Sequence, residues 1–271
     1  MKNKKFYGFI EPVIEKDHYV LGFSSVPKNI LMANKDWRTV WTPQAHQGVF
    51  FETYDCTAFN TLSSISRLVF MLTGEKVTYS PRWVGIVAGT RPPGNDPHVV
   101  CEAIRKFGLI PDEMLPWTEN IKDVGEYYSF KDANEKACYV AGALWLKRFE
   151  FFHEWVFKGD VSPEKKIKAM IESLQYSPLG ISVTAWNKKD LLYVSNEEQN
   201  NHWTEQVSLN QLESWIIDDS YTDENGSYEK LLEWAFDFQY CKRYHLVLRP
   251  TKPKSKSLFS RLFNFLKKKH D

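Results

Sequence analysis

Apolar residues recur at helical spacing over Ala58, Phe59, Leu62, Ile65, Leu68, Val69 and Leu72, and Gly74 supplies a stop directly after them. The stripe predicts a core helix buried along its length, with only its N-terminus facing a cleft. Ahead of it, Thr39 to Asp55 is loop-rich, with Pro43, Gln44, His46, Gln47 and Gly48. Tyr79-Ser80-Pro81-Arg82 reads as the capped start of a second helix reaching about Ala88, and a third runs from about His98 to Phe107 and closes at Gly108.

The second half changes character. Residues 137–157 are rich in Tyr, Val, Trp and Phe, and strand is expected over helix after about Ala143. Ser162-Pro163-Glu164 starts a helix carrying Ile167, Met170, Ile171 and Leu174, which breaks at Ser177-Pro178. Strands are expected at Leu179 to Trp186, Leu191 to Val194, Trp215 to Ile217 and Tyr244 to Leu248. The pattern predicts an α+β class in three parts. Residues 1–35 form an extended N-terminal segment packed on its neighbour, and residues 36–250 the main body, helical over about 36–125 and strand-rich over about 126–250. Residues 251–271 form a tail.

Charge separates the tail from the body. The chain of 271 residues carries +1 in all, of which +6 falls on residues 252–271, leaving −5 on residues 1–251. A body of that sign is not built for nucleic acid. In the tail, Leu258, Phe259, Leu262, Phe263, Phe265 and Leu266 cluster on one face of a helical pattern, with Arg261 and Lys267-Lys268-Lys269 around them. Residues 256–269 therefore suit a membrane surface or an acidic partner groove, and equally a frayed tail packed on the body. The aromatic share of 15% implies an aromatic core or a surface built for contacts. Cys56, Cys101, Cys138 and Cys241 form no CxxC pair and no metal spacing, so free thiols in a reducing compartment are expected, with no metal or cofactor. The N-terminal apolar run is too short for a signal peptide, and the charges within Ala137 to Phe157 exclude an ordinary membrane span. A cytoplasmic or virion-associated protein is expected.

The chemistry centres on Cys56. At the first turn of a helix a thiol meets unpaired N–H groups and the positive end of the dipole, which favour thiolate. The same position also suits an ordinary buried cysteine. A nucleophilic cysteine needs a base and a group that orients the base. Of seven histidines, His202 in Asn200-Asn201-His202-Trp203 is the best placed, because it follows a polar hairpin-like stretch. Trp215-Ile216-Ile217-Asp218-Asp219 puts carboxylates at the end of a buried strand, where Asp219 could accept the ring N–H of His202.

These pieces fall in one order with others. Asp36-Trp37-Arg38, Thr42-Pro43 with Gln47-Gly48, Cys56-Thr57-Ala58-Phe59, Tyr79-Ser80-Pro81, Leu115-Pro116-Trp117, Asn201-His202 and Trp215-Ile216-Ile217-x-Asp219-Ser220-Tyr221 follow one another. They resemble the D-W-R, T-P-x-x-x-Q-G, C-W-A-F, L-S-E, Y-P-Y, [ND]-H and W-x-I-x-N-S-W segments of the papain-like cysteine peptidases, over about residues 36–250. Cys56 and His202 lie 146 residues apart, inside the ~130–150 of that signature. The resemblance implies a two-lobed fold with a Cys-bearing central helix and a β-barrel-like lobe, a polypeptide substrate and no cofactor. It makes Cys56 the nucleophile, His202 its ion-pair partner, Asp219 the stand-in for an orienting Asn, and Gln47 the side-chain donor to the oxyanion.

The departures sit around the same residues. Gln47 lies nine residues before Cys56, about three more than the family pattern, so either an insertion loops out or Thr53 or Glu52 takes its place. Glu52 would repel an oxyanion, Asp55 would cap the helix while opposing thiolate, and Asp219 in place of Asn would strengthen the imidazolium. Absent disulfide cysteines fit a non-secreted, divergent member of phage type. Besides a cysteine peptidase, the residue order fits an amidase acting on cell-wall or isopeptide bonds, or a docking module without activity, as in a virus particle.

Overall fold

The computed structural model describes residues 7–13, 29–196, 199–210 and 214–250. The expected tail helix and much of the N-terminal segment lie outside these residues. What is described of that segment is extended: β1 (Gly8–Phe9) pairs in parallel with β2 (Gly94–Asn95). The central helix α1 (Cys56–Thr73) is buried from Cys56 to Leu62 and from Ser64 to Val69, and Gly74 ends it in the left-handed conformation, its N–H reaching the carbonyl of Phe70 at 2.8 Å. Helices α2 (Pro81–Val87) and α3 (Pro97–Phe107) begin on prolines behind caps: Ser80 Oγ accepts from Trp83 N–H at 3.1 Å and the Asp96 carboxylate from His98 N–H at 2.6 Å.

One expected boundary moves. The short α4 (Val124–Tyr127) is followed by α5 (Glu135–Arg148), so the helical run continues past residue 125, and residues 143–148 are helix where strand was expected. Strand β3 (Phe149–Lys158) starts only at Phe149. Two things hid the helix. Tyr139, Val140 and Leu144 are apolar yet exposed, which blurs the 3.6-residue period. Packing then overrides the propensity of the aromatic and β-branched residues. At Gly142 the helix presses so closely on α3 that a Cβ would lie 2.2 Å from the Phe107 carbonyl oxygen. Beyond β3, α6 (Pro163–Ser173) follows the expected Ser-Pro-Glu start. No helix among the described residues is long and apolar enough to cross a membrane.

The remaining strands are β4 (Leu179–Val183), β5 (Lys188–Lys189), β6 (Leu192–Tyr193), β7 (His202–Asn210), β8 (Ser214–Asp218), β9 (Glu229–Glu233) and β10 (Tyr240–Leu248). With β3 they form one sheet in the order β3-β10-β4-β7-β8-β9-β6-β5, antiparallel except where β6 meets β9. Helix α1 packs on β7 and β10. The main apolar core runs from Ala58, Leu62 and Ile65 of α1 into Ile181, Val183, Val207 and Tyr244 of the sheet. Trp37, Trp83, Trp155, Trp203 and Trp215 are fully buried, which assigns much of the aromatic content to the interior. The four cysteines are buried and unpaired.

A polar tie crosses this core. Glu205 of β7 accepts hydrogen bonds from Ser63 Oγ at 2.6 Å and Ser64 Oγ at 2.8 Å, and Arg67 lies 3.4 Å away. Arg67 also reaches Asp218 at 2.5 Å and the carbonyls of Trp37 and Val40. Burial outweighs the attraction of Arg67 and lifts Glu205 to about 7. A carboxyl raised in this way holds its proton in the folded state after the unfolded chain has lost it, so its contribution to stability declines as pH rises from about 4.5 to about 7. Removing Arg67, the cation of the cluster among the described residues, deepens that decline. Arg67→Met is expected to cost about 3–5 kcal/mol at pH 8 and clearly less at pH 5, where Glu205 is protonated. Urea denaturation at the two pH values measures both, and an equal cost at each would contradict this account.

Candidate active site

Cys56 is the first residue of α1 and is fully buried. Its Sγ accepts the N–H of Trp203 at 3.4 Å, from the strand residue directly after His202. Burial pushes the thiol well above its usual range. The Trp203 N–H works against that rise, and the nearby carboxyls of Glu52, Asp55 and Asp219 add to it. Asp55 holds the N-cap position but makes no capping bond; its Oδ2 instead accepts the hydroxyl of Tyr127 at 3.0 Å. Burial drives its carboxyl toward the neutral form, so it opposes a thiolate less than its formal charge implies.

His202 opens β7 and Asp219 follows directly on β8. The two strands are antiparallel neighbours, with Glu205 opposite Asp218, and this register brings the imidazole and the carboxylate together at one end of the sheet. His202 Nε2 lies 2.5 Å from Asp219 Oδ1. Asp219 is held at about 2: burial raises it, but the charges of His202 and Lys230 and their hydrogen bonds lower it further. An ionised Asp219 can only accept, so Nε2 carries the ring proton in that bond. The other nitrogen, Nδ1, is buried and has no hydrogen-bond partner among the described residues. Asp218, one residue earlier, faces the opposite way onto Arg67.

Gln47 is also buried at this site. Its Oε1 accepts Ser220 Oγ–H at 2.8 Å, and Ser220 N–H donates to Asp219 Oδ1 at 2.8 Å. Asn60, one turn along α1 from Cys56, donates through Nδ2 to the carbonyls of Trp203 at 2.6 Å and Cys56 at 2.9 Å and to Ser220 Oγ at 3.2 Å. One polar network therefore joins Gln47, Cys56, His202 and Asp219. The extra residues between Gln47 and Cys56 loop outward, with Val49 and Phe50 exposed. Thr53 Oγ1 is directed back to the Gln47 carbonyl at 3.2 Å. Glu52 stays close: its Oε1 accepts from Gln47 Nε2 at 3.0 Å and Tyr54 N–H at 2.8 Å, and its Oε2 accepts the Tyr221 hydroxyl.

The site is covered by the chain's own N-terminal segment. The Tyr7 ring packs edge-on against His202 at 5.5 Å and Tyr221 at 5.3 Å between centroids, its N–H donates to the Asn201 carbonyl, and its carbonyl accepts Gln47 Nε2 at 3.0 Å. Phe9 stacks on Trp203 and closes an apolar cluster of Cys56, Trp155, Trp203 and Tyr240. Between them Gly8 adopts φ +110°, and a Cβ there would lie 2.3 Å from the Tyr54 carbonyl oxygen; on the other side, a Cβ at Gly94 would lie 2.0 Å from the Gly8 carbonyl oxygen.

Three contributors escaped sequence reasoning. Asn60 was signalled by its i+4 spacing from Cys56, which puts both on one helix face. Lys230 was signalled by the period-two pattern of β9, where it shares the buried face with Leu232. Tyr7 carries no such signal, because nothing local tells which surface an extended segment covers.

No protein-family description matches the sequence, and no curated protein matches it as a relative. Solved structures do match. Xylellain, a cysteine protease from Xylella fastidiosa, superposes with a TM-score of 0.64 over 92% of this chain and 97% of its own, at 13% identity. Procathepsin L 3 from the larval midgut of Tenebrio molitor gives 0.56 over 84% and 72%, at 12% identity. The clostridial cysteine protease Cwp84 gives 0.58 over 78% and 56%, also at 12% identity. The chain has the two-lobed α+β fold of the papain-like cysteine proteases.

Proposed function

We propose that the protein is a thiol peptidase whose nucleophile is Cys56, with His202 as base and acid, Asp219 as the group that orients His202, and Gln47 as a donor to the oxyanion. The observation that carries this reading is the asymmetry of His202. Nε2 is fixed by a buried carboxylate, while Nδ1 is left without a partner beside the strand that contacts the Cys56 sulfur. An imidazole tied in this way has one nitrogen free to take a proton from a thiol.

The steps follow from these positions. The Cys56 thiol proton passes to His202 Nδ1, and the thiolate attacks the carbonyl carbon of a peptide bond. The oxyanion is met by Gln47 Nε2 and by N–H groups of the first turn of α1. His202 returns the proton to the departing amine, leaving an acyl group on Cys56. Water, deprotonated by His202, releases the acid and restores the thiol. A polypeptide substrate is supported by the cleft itself, which already holds residues 7–10 as an extended strand through main-chain bonds to β2, Asn95 and Asn201. That segment occupies Gln47 and buries Cys56, so the arrangement described is a closed one. A docking module without activity would look the same when closed; labelling of the thiol separates the two readings, and a second experiment tests the seal.

An electrophilic thiol-peptidase probe, located by peptide mapping, is expected to label Cys56 in preference to Cys101, Cys138 and Cys241. His202→Ala is expected to slow that labelling by at least about 100-fold, in the range of general-base contributions. Labelling spread evenly over the four cysteines would leave the peptidase reading without support. The second experiment opens the site. Gly8→Val cannot be seated against the Tyr54 carbonyl, so it is expected to raise the rate of Cys56 alkylation by iodoacetamide about tenfold or more, the equivalent of roughly 1.4 kcal/mol. The urea midpoint should barely move, because the segment is a peripheral strand. An unchanged alkylation rate would show that the segment does not guard the thiol.

A further inference from the structure

The sequence implies that Asp219, standing where the related peptidases carry an amide, puts an extra negative charge on the imidazole. The surroundings of that carboxylate are different from what this implies. Lys230 of β9 is buried, with its side chain 1% exposed, and its Nζ lies 2.9 Å from Asp219 Oδ2. The ammonium also donates to the Tyr221 carbonyl and sits 5.4 Å from the centre of the Trp186 ring. Trp186 Nε1 donates to the same Oδ2 at 3.1 Å. Oδ1 is left to His202 Nε2 and to Ser220 N–H. Each carboxylate oxygen thus has a fixed pair of donors, and the carboxylate cannot rotate away from His202 without breaking all four bonds.

We infer that Lys230 is a positioning residue of the Cys56–His202 pair: its ammonium cancels the charge of Asp219 and locks the carboxylate, so that Asp219 and Lys230 together act on His202 as one neutral, rigid acceptor. A bare carboxylate 2.5 Å from an imidazole holds it as imidazolium and makes it reluctant to give up its proton to a leaving amine. With a buried cation on the far oxygen, the orienting hydrogen bond remains and most of that electrostatic bias is removed. The other ionisable neighbours do not supply this balance. Cys56 of α1, Glu52 of the preceding loop, and Tyr221, Tyr193 and Tyr7 are neutral or negative, and Asp218 is turned to Arg67. Lys230 is the cation in contact with the pair among the described residues.

The inference rests on the peptidase reading for why the balance matters, but its test does not. The protonation midpoint of His202 is read by NMR of the full chain with labelled histidine, the signal being assigned by its loss in His202→Gln. Lys230→Met is expected to move the midpoint upward by about one pH unit or more, and Asp219→Asn, which leaves the cation alone, to move it downward by a similar amount. The double variant Asp219→Asn/Lys230→Met should return it to within about half a unit of the parent. If Lys230→Met fails to fold, because it strands a buried carboxylate, the comparison of Asp219→Asn with the double variant carries the test. Midpoints that ignore Lys230 in both comparisons would reduce it to a structural ion-pair partner and overturn the inference. Failure of the probe to label Cys56 would instead overturn the peptidase reading and leave these shifts intact.

Discussion

Glu205 lies buried on β7 three residues beyond His202, and its carboxylate is gripped by Ser63, Ser64 and Arg67, all on α1. A second tie, from Asn60 to the Trp203 carbonyl, lies nearer the end of the helix. Together they set how far α1 has slid along β7 and how it is rotated about its own axis. Apolar packing alone tolerates small sliding, whereas hydrogen bonds in a low-dielectric interior do not. The first residue of the helix, Cys56, reaches Trp203 beside the start of the strand because these polar ties fix the register between the two elements.

Charge at the site is arranged by burial more than by the number of ionisable groups. Three carboxyls, Glu52, Asp55 and Asp219, lie close to the Cys56 thiol. Asp55 is driven toward neutrality by its surroundings, and Asp219 is met by Lys230. Glu52 is the exception. It holds the Gln47 amide, together with the Tyr7 carbonyl, in the closed arrangement. Residues that a reading of the sequence sets against catalysis are in this way mostly silenced by their neighbours.

The parts of this picture legible in the sequence are those with local signals. The stripe from Ala58 to Leu72 and the Ser80-Pro81 and Gly108 boundaries report directly on backbone geometry, and Trp215 to Asp219 reads as a buried strand ending in carboxylates. The misread stretch, residues 143–148, has apolar side chains on its exposed face and tight packing at Gly142, neither of which leaves a periodic trace. β7 is hard to see for the opposite reason: Thr204, Glu205 and Gln206 are polar yet completely buried. The order Gln47, Cys56, His202, Asp219 was visible along the chain. What was not visible was their company, since Lys230 and Tyr7 reach the site from strands distant in sequence, and only the tertiary pairing of β9 with β8 and of β1 with β2 brings them there.

The seal over Cys56 is made of little surface. Its described part is two aromatic rings, one glycine and a few main-chain bonds along β2 and Asn201. Lifting it exposes far less than unfolding the sheet, and the response of an opening to denaturant scales with the area it uncovers. Access to the thiol therefore belongs to the class of local openings whose free energy is nearly flat in urea, well below the point where the core gives way. An opening of this kind leaves the fold untouched, so access to Cys56 and stability of the fold are set by separate groups of residues in the same chain.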